Sequence, residues 1–111
     1  MKRRSKAYAI VFVTAPDVKT AKAIVYKALE EKAIACGNIL PKIQSLYWWQ
    51  GKIEKSAEVL IIMKTAKSKL KQLRQVVVAN HPYETPEFIA IDIGFGFEKY
   101  LNWIDESVKL S

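Results

Sequence analysis

The chain is expected to fold as a single α+β domain: a ferredoxin-like βαββαβ arrangement with an additional C-terminal helix and a long hairpin between the second and third strands. Three observations lead there. Short apolar runs rich in β-branched residues, Tyr8 to Thr14 and Val59 to Met63, have the length and composition of strands. Two stretches, one following Asp17 and one from Ser68 to Ala79, repeat their apolar residues at helical spacing. Between those helices, residues 33–65 read as two extended segments joined by a tight turn.

Tyr8 to Thr14 is the first strand, buried on both sides, and Ala15-Pro16-Asp17 punctuates it. Asp17 is placed to cap a helix whose apolar positions Ala21, Ile24, Val25, Ala28 and Leu29 fall on one face. Ala33 to Trp49 lacks a helical period and reads as a long strand, bent or bulged near Pro41, since proline donates nothing to a ladder. Gln50-Gly51-Lys52 supplies the turn, and Ile53 to Thr65 returns antiparallel. The helix over Ser68 to Ala79 turns Leu70, Leu73, Val76 and Val77 inward and stops before Pro82. Glu87 to Ile93 is a short fourth strand; Phe97, Tyr100, Leu101, Ile104 and Val108 mark a closing amphipathic helix.

At 111 residues, half of them hydrophobic and 11% aromatic, the chain is long enough for one core and too short for two. Residues 1–6 read as a basic flexible tail and residues 7–111 as one domain. Eighteen basic against eleven acidic residues give a net charge of +7. Lys2, Arg3, Arg4 and Lys6 of the tail supply four of those charges, and the remaining excess of about +3 is not the footprint of a dedicated nucleic-acid binder. A lone cysteine, Cys36, favours a reducing compartment and hence the cytoplasm. No apolar run approaches the ~20 residues that span a bilayer, so no membrane insertion is expected. Hairpin arms of roughly fifteen residues ending in Tyr47, Trp48 and Trp49 overhang a sheet of ordinary strands, which typically run about five or six residues, and call for an oligomer built by edge pairing.

Several local patterns invite chemistry. Gly94-Phe95-Gly96-Phe97-Glu98-Lys99-Tyr100 looks like the aromatic stacking motif of RNA recognition domains, but it follows the fourth strand and enters a helix instead of lying on a central strand. Cys36 and His81 are the residue types of a thiol–imidazole nucleophilic pair, yet no local motif identifies one, and phosphate-cradling loops and paired metal spacings are absent from the sequence. As metal donors, His81 and Cys36 would suit copper if they converge, with Glu84 and Glu87 as further donors or as partners for Lys64.

Taken together, Thr14-Ala15-Pro16-Asp17, Ala35-Cys36 with Asn38 and Pro41, Ser45-x-Tyr47-x-Trp49-x-Gly51-x-Ile53, Glu58, Lys64-Thr65, His81-Pro82-Tyr83-Glu84-x-Pro86-Glu87 and Tyr100-x-x-Trp103 make the chain resemble the CutA family, named for divalent-cation tolerance. These elements run in order from residue 8 to about residue 108. The resemblance implies a ferredoxin-like subunit in a homotrimer akin to the PII signalling proteins, with pockets between subunits. It also implies a non-enzymatic binding or signalling role tied to copper or other divalent cations, none of them required for folding; some animal relatives are associated with anchoring acetylcholinesterase.

Some bacterial relatives carry cysteine and histidine where this chain has Val13 and Asn80, so His81 is what remains of that ligand set. Gly37 replaces a more usual apolar residue and is expected to loosen its strand. The expected site has His81 and Cys36 as metal donors and Tyr47, Trp49, Lys64, Tyr83, Glu84 and Glu87 around a ligand pocket, for a divalent cation or a small anionic ligand. The alternative is a structural trimer that serves as a scaffold for a partner protein.

Overall fold

The computed structural model describes residues 7–109, so the basic tail expected at residues 1–6 lies outside the described residues. The elements are β1 (Tyr8–Ala15), α1 (Val18–Glu30), β2 (Cys36–Trp49), β3 (Lys52–Ala66), a 3-10 turn (Lys67–Lys69), α2 (Leu70–Asn80), β4 (Ile89–Asp92) and α3 (Glu98–Ser107). The strands form one sheet in the order β2-β3-β1-β4 with every neighbour antiparallel. β1 and β2 therefore run the same way with β3 between them, the split βαβ of the ferredoxin-like fold, and α3 is the additional helix.

Alternation along β1 and β3 sorts the sheet into two faces. Val11, Val13 and Ala15 stand opposite Met63, Ile61 and Val59, all buried. The helices close over them with Ala21, Ile24, Val25 and Ala28 of α1 and Leu73, Val76 and Val77 of α2. On the other face lie Ile10, Phe12 and Thr14, paired with Lys64, Ile62 and Leu60, flanked by Cys36, Asn38 and Leu40 of β2 and by Ile89 and Ile91 of β4. The chain covers this second face only at one end, where α3 packs Leu101, Ile104 and Val108 against Tyr8, Ala35 and Ala66.

Local chemistry fixes the element ends. Asp17 caps α1, its carboxylate accepting the Thr20 N–H at 2.7 Å. At the other end Lys32 takes φ 59°, and the N–H of Ala33 donates to the Ala28 carbonyl at 2.9 Å, a left-handed C-terminal closure. That closure sets Ala33 and Ile34 outside the ladder; Ala35 meets β3 with its N–H donated to the Lys64 carbonyl at 2.9 Å, and β2 itself starts at Cys36 and not at Ala33. Thr65 Oγ1 instead donates to the Ala33 carbonyl at 2.7 Å. The expected irregularity at Pro41 is a register shift between Leu40 and Ile43, with Lys42 at φ 63°. Gln50 and Gly51, both at positive φ, join the paired Trp49 and Lys52 in a two-residue turn that matches the strand twist.

Four expectations about packing are corrected. Leu29, placed inward by the helical period, is 38% exposed, at the edge of the buried stripe formed by Ala21, Ile24, Val25 and Ala28. Phe97 and Tyr100 are 71% and 40% exposed, since α3 covers too little sheet to receive them. Gly37 does not loosen its strand: a Cβ there would meet the Val25 methyls at 2.8 and 3.0 Å, so the missing side chain lets α1 approach β2 closely. The fourteen- and fifteen-residue strands β2 and β3 stretch the molecule to 47 × 26 × 22 Å. Its radius of gyration of 14.8 Å exceeds the about 13 Å of a compact chain of this size.

Candidate functional site

The loop from His81 to Phe88 joins α2 to β4 and is fastened to the sheet at two points. Asn80 ends the helix by donating its side-chain N–H to the Val76 carbonyl at 2.8 Å, and Pro82 has no N–H with which to extend it. His81 Nε2 lies 2.7 Å from the Thr14 carbonyl oxygen on β1. A carbonyl only accepts, so Nε2 carries the hydrogen; the N–H of Tyr83 in turn donates to Nδ1 at 3.1 Å. The imidazole is thus neutral with both nitrogens engaged, and its ring packs on Tyr83 at a centroid distance of 4.7 Å.

The second fastening is the Tyr83 hydroxyl, which donates to Glu58 Oε2 at 2.7 Å. Glu58 is 8% exposed, a carboxylate withdrawn from water on β3. Burial, then the hydrogen bond to Glu58 and its charge, push the Tyr83 phenol up to about 12, with smaller contributions from Tyr47 and Asp17. Tyr47 belongs to the same neighbourhood, its hydroxyl donating to Ser56 Oγ at 3.3 Å. The Thr20 N–H that caps Asp17 holds that carboxyl below the usual carboxylate range.

Glu58 belongs to this cluster, and sequence reasoning did not place it there. Its signal was present: an acid immediately before the apolar run Val59 to Met63, at a position that alternates with Leu60 and Ile62 and so faces the open side of the sheet. Asp17 was read only as a helix cap, and it is also a neighbour of Tyr83.

The other expected site residues divide into separate places. Cys36 pairs with Lys64, whereas the Thr14 that holds His81 pairs with Leu60, four residues away on β3. At the rise of an extended strand that is roughly 13 Å along the sheet, so one chain does not bring His81 and Cys36 together. Lys64 Nζ donates to Asn38 Oδ1 at 2.6 Å, at the Cys36 end and away from the loop carboxylates. Trp49 stands at the hairpin tip, 58% exposed. Glu84 and Glu87 are exposed and have no partner among the described residues.

For a divalent cation, the donor set within one chain does not fit a site built on His81 and Cys36. Neither imidazole nitrogen offers a free lone pair, the thiol is remote, and no group of three or more His, Cys, Asp or Glu side chains converges among the described residues. An open depression of ≈ 440 Å³ between the 3-10 turn and α3, lined by Ser68, Lys69, Asp105 and Glu106, shares no residue with the loop. No helix among the described residues is long and apolar enough to cross a membrane.

Comparison with known proteins converges on one family. The family model described as CutA1 divalent ion tolerance protein matches residues 9–107. The chloroplastic protein CutA 1 of Oryza sativa is 44% identical over 102 residues, 92% of this chain, which spans only 58% of the plant protein's length. The divalent-cation tolerance protein CutA of Archaeoglobus fulgidus is 43% identical over 99 residues, 89% of this chain and 96% of that protein. The crystal structure of CutA1 from Oryza sativa superposes with a TM-score of 0.91 at 42% identity, covering 97% of this chain and 99% of that one. The chain therefore belongs to the CutA divalent-cation-tolerance family.

Proposed function

We propose that this chain is a non-enzymatic binding module that assembles as a homotrimer and takes a divalent cation through Glu84 and Glu87 of the loop, at a pocket formed where copies meet. The observation that carries this reading is the loop itself. His81 and Tyr83 hold it against β1 and β3 while two carboxylates on it keep their oxygens free among the described residues. Carboxylate oxygens are ligands for hard and borderline cations, and a fixed backbone spares the entropy of collecting them. His81 serves as an anchor in this reading and not as a donor. Several copies of one loop, related by symmetry, supply the ligand number that one chain lacks.

The assembly rests on the open apolar face of the sheet and on the hairpin tip, where Trp48 is 73% and Ile53 66% exposed. A Trp48→Ala, Trp49→Ala double variant is expected to sediment as a smaller species than the wild type. The lone thiol supports a cytoplasmic location, and the family's tolerance name leaves copper among the cations to be tried.

The test is a thermal-shift titration with manganese, zinc and copper ions, because a ligand of the folded state raises its stability by mass action. A Glu84→Gln, Glu87→Gln variant should lose the cation-dependent shift. His81→Ala should lower the melting temperature without cations and keep the shift. The opposite pattern, with His81 needed and the carboxylates dispensable, removes this reading. No shift with any cation favours a trimeric scaffold for a partner protein, a reading that the exposed hairpin aromatics also support.

A further inference from the structure

A second cluster stands at the far end of the open face, six residues along β3 from Glu58. There Lys64 sits half-buried between Cys36 on β2 and Ile10 on β1, in the row that Ile91 of β4 continues. Its ammonium donates to Asn38 Oδ1 at 2.6 Å, a neutral acceptor, and no carboxylate pairs with it among the described residues. Cys36 Sγ lies 3.7 Å from the same Asn38 oxygen. Tyr100 of α3 lies beside Cys36; burial first and then this neighbour raise its phenol above the ordinary value. Trp103 packs against Tyr100 with ring centroids 5.4 Å apart.

The cluster is rich in donors and free of acids. Lys64 has two further ammonium hydrogens, and the Asn38 amide has two of its own. The half-buried Lys64 ammonium donates one hydrogen to a neutral amide oxygen, which leaves its charge without a counter-charge among the described residues. Its complement is an oxyanion, whose charge-assisted hydrogen bonds are about twice as strong as neutral ones.

We propose that Lys64 and Asn38 form an anion subsite that takes a carboxylate or phosphate group of a small molecule. Two of its oxygens engage the Lys64 ammonium and the Asn38 amide. This subsite is separate from the loop at His81 to Phe88, and its occupant is of the opposite charge to the cation assigned there.

Isothermal titration of the full chain with inorganic phosphate and, separately, with benzoate tests it and tells the two anion chemistries apart. Saturable binding of one or both is expected at millimolar concentration. Lys64→Met should weaken it about tenfold or more, the scale of a lost charge-assisted hydrogen bond, while Lys64→Arg retains most of it. Asn38→Asp is the sharper probe: it places a carboxylate where Lys64 already donates, so it should keep the fold and abolish anion binding. Sedimentation and circular dichroism of each variant separate a lost subsite from a lost fold. Absence of saturable binding overturns the proposal, as does binding unchanged in folded Lys64→Met and Asn38→Asp. It is also overturned if raised salt destabilises the assembly without any anion binding, since Lys64 would then be paired with a carboxylate of a second copy. Failure here leaves the cation reading of Glu84 and Glu87 standing, because the thermal shift reads different residues.

Discussion

The two faces of one sheet are finished to different degrees. On the helix side Val11, Val13, Ile61 and Met63 are 0% exposed, and α1 and α2 complete the core from within the chain. On the open side Leu40 is 40% and Ile89 and Ile91 are 50% exposed, with α3 covering only the end of the face. The charged side chains follow the same division: Glu58 and Lys64, with Asn38 beside it, belong to the open side, whereas Thr65 on the closed side is satisfied by the Ala33 carbonyl. The closed face makes the fold, and the open face is the one on which the proposed assembly and ligands would act.

The largest expected effect comes from the closed face. Ile61→Ala removes a fully buried side chain from the main core and should cost about 2–5 kcal/mol of unfolding free energy in urea titration. The loss should be the same at any protein concentration, because α1 and α2 of the same chain already cover that face. A loss that shrank as concentration rose would mean that the closed face also depends on assembly.

Next comes the clamp on the loop. Tyr83→Phe leaves the buried Glu58 carboxylate without its donor and should cost about 1–3 kcal/mol. The pH dependence has a definite sign. The phenol is raised from 10.0 to about 12, so the fold favours its protonated form. Its contribution is complete below pH 10 and is lost as pH rises through about 12. The difference in stability between wild type and Tyr83→Phe should therefore narrow across that window, with lysine titration cancelling between the two. A constant difference up to pH 12 would show that the hydroxyl is not held by Glu58.

Much of this was legible from the sequence because local chemistry and the fold agree. Asp17, the apolar period of α1, the break at Pro41 and the Gln50-Gly51 turn each name a local geometry, and each is found in place. The motifs also identified the family. What the sequence hid depends on register. Lys64 and Glu58 share a face of β3 but lie six residues apart, so within one chain Lys64 donates to Asn38 and stands away from Glu84 and Glu87. The pairing of His81 with the Thr14 carbonyl spans 67 residues, and no spacing rule predicts it. Phe97 and Tyr100 carry a helical period whose partner surface the chain does not provide.

The smallest expected change in the subunit gives the sharpest comparison of the two faces. Leu29 on α1 is 38% exposed and Ile91 on β4 is 50% exposed, so by area alone a lysine should be tolerated at either position. Each substitution leaves the closed core untouched, and each should alter the stability of a dilute, dissociated subunit by no more than about 0.5 kcal/mol. Sedimentation should nevertheless separate them. Leu29→Lys lies on the outer helix layer and should leave the assembly intact. Ile91→Lys sets a second ammonium in the row that Ile10 and Lys64 share, where burial against a second copy would leave it without a counter-charge, and the assembly should dissociate. If both variants keep the assembly, the copies do not meet across the open face; if Leu29→Lys alone dissociates, the helix layer is the contact and the two faces have exchanged roles.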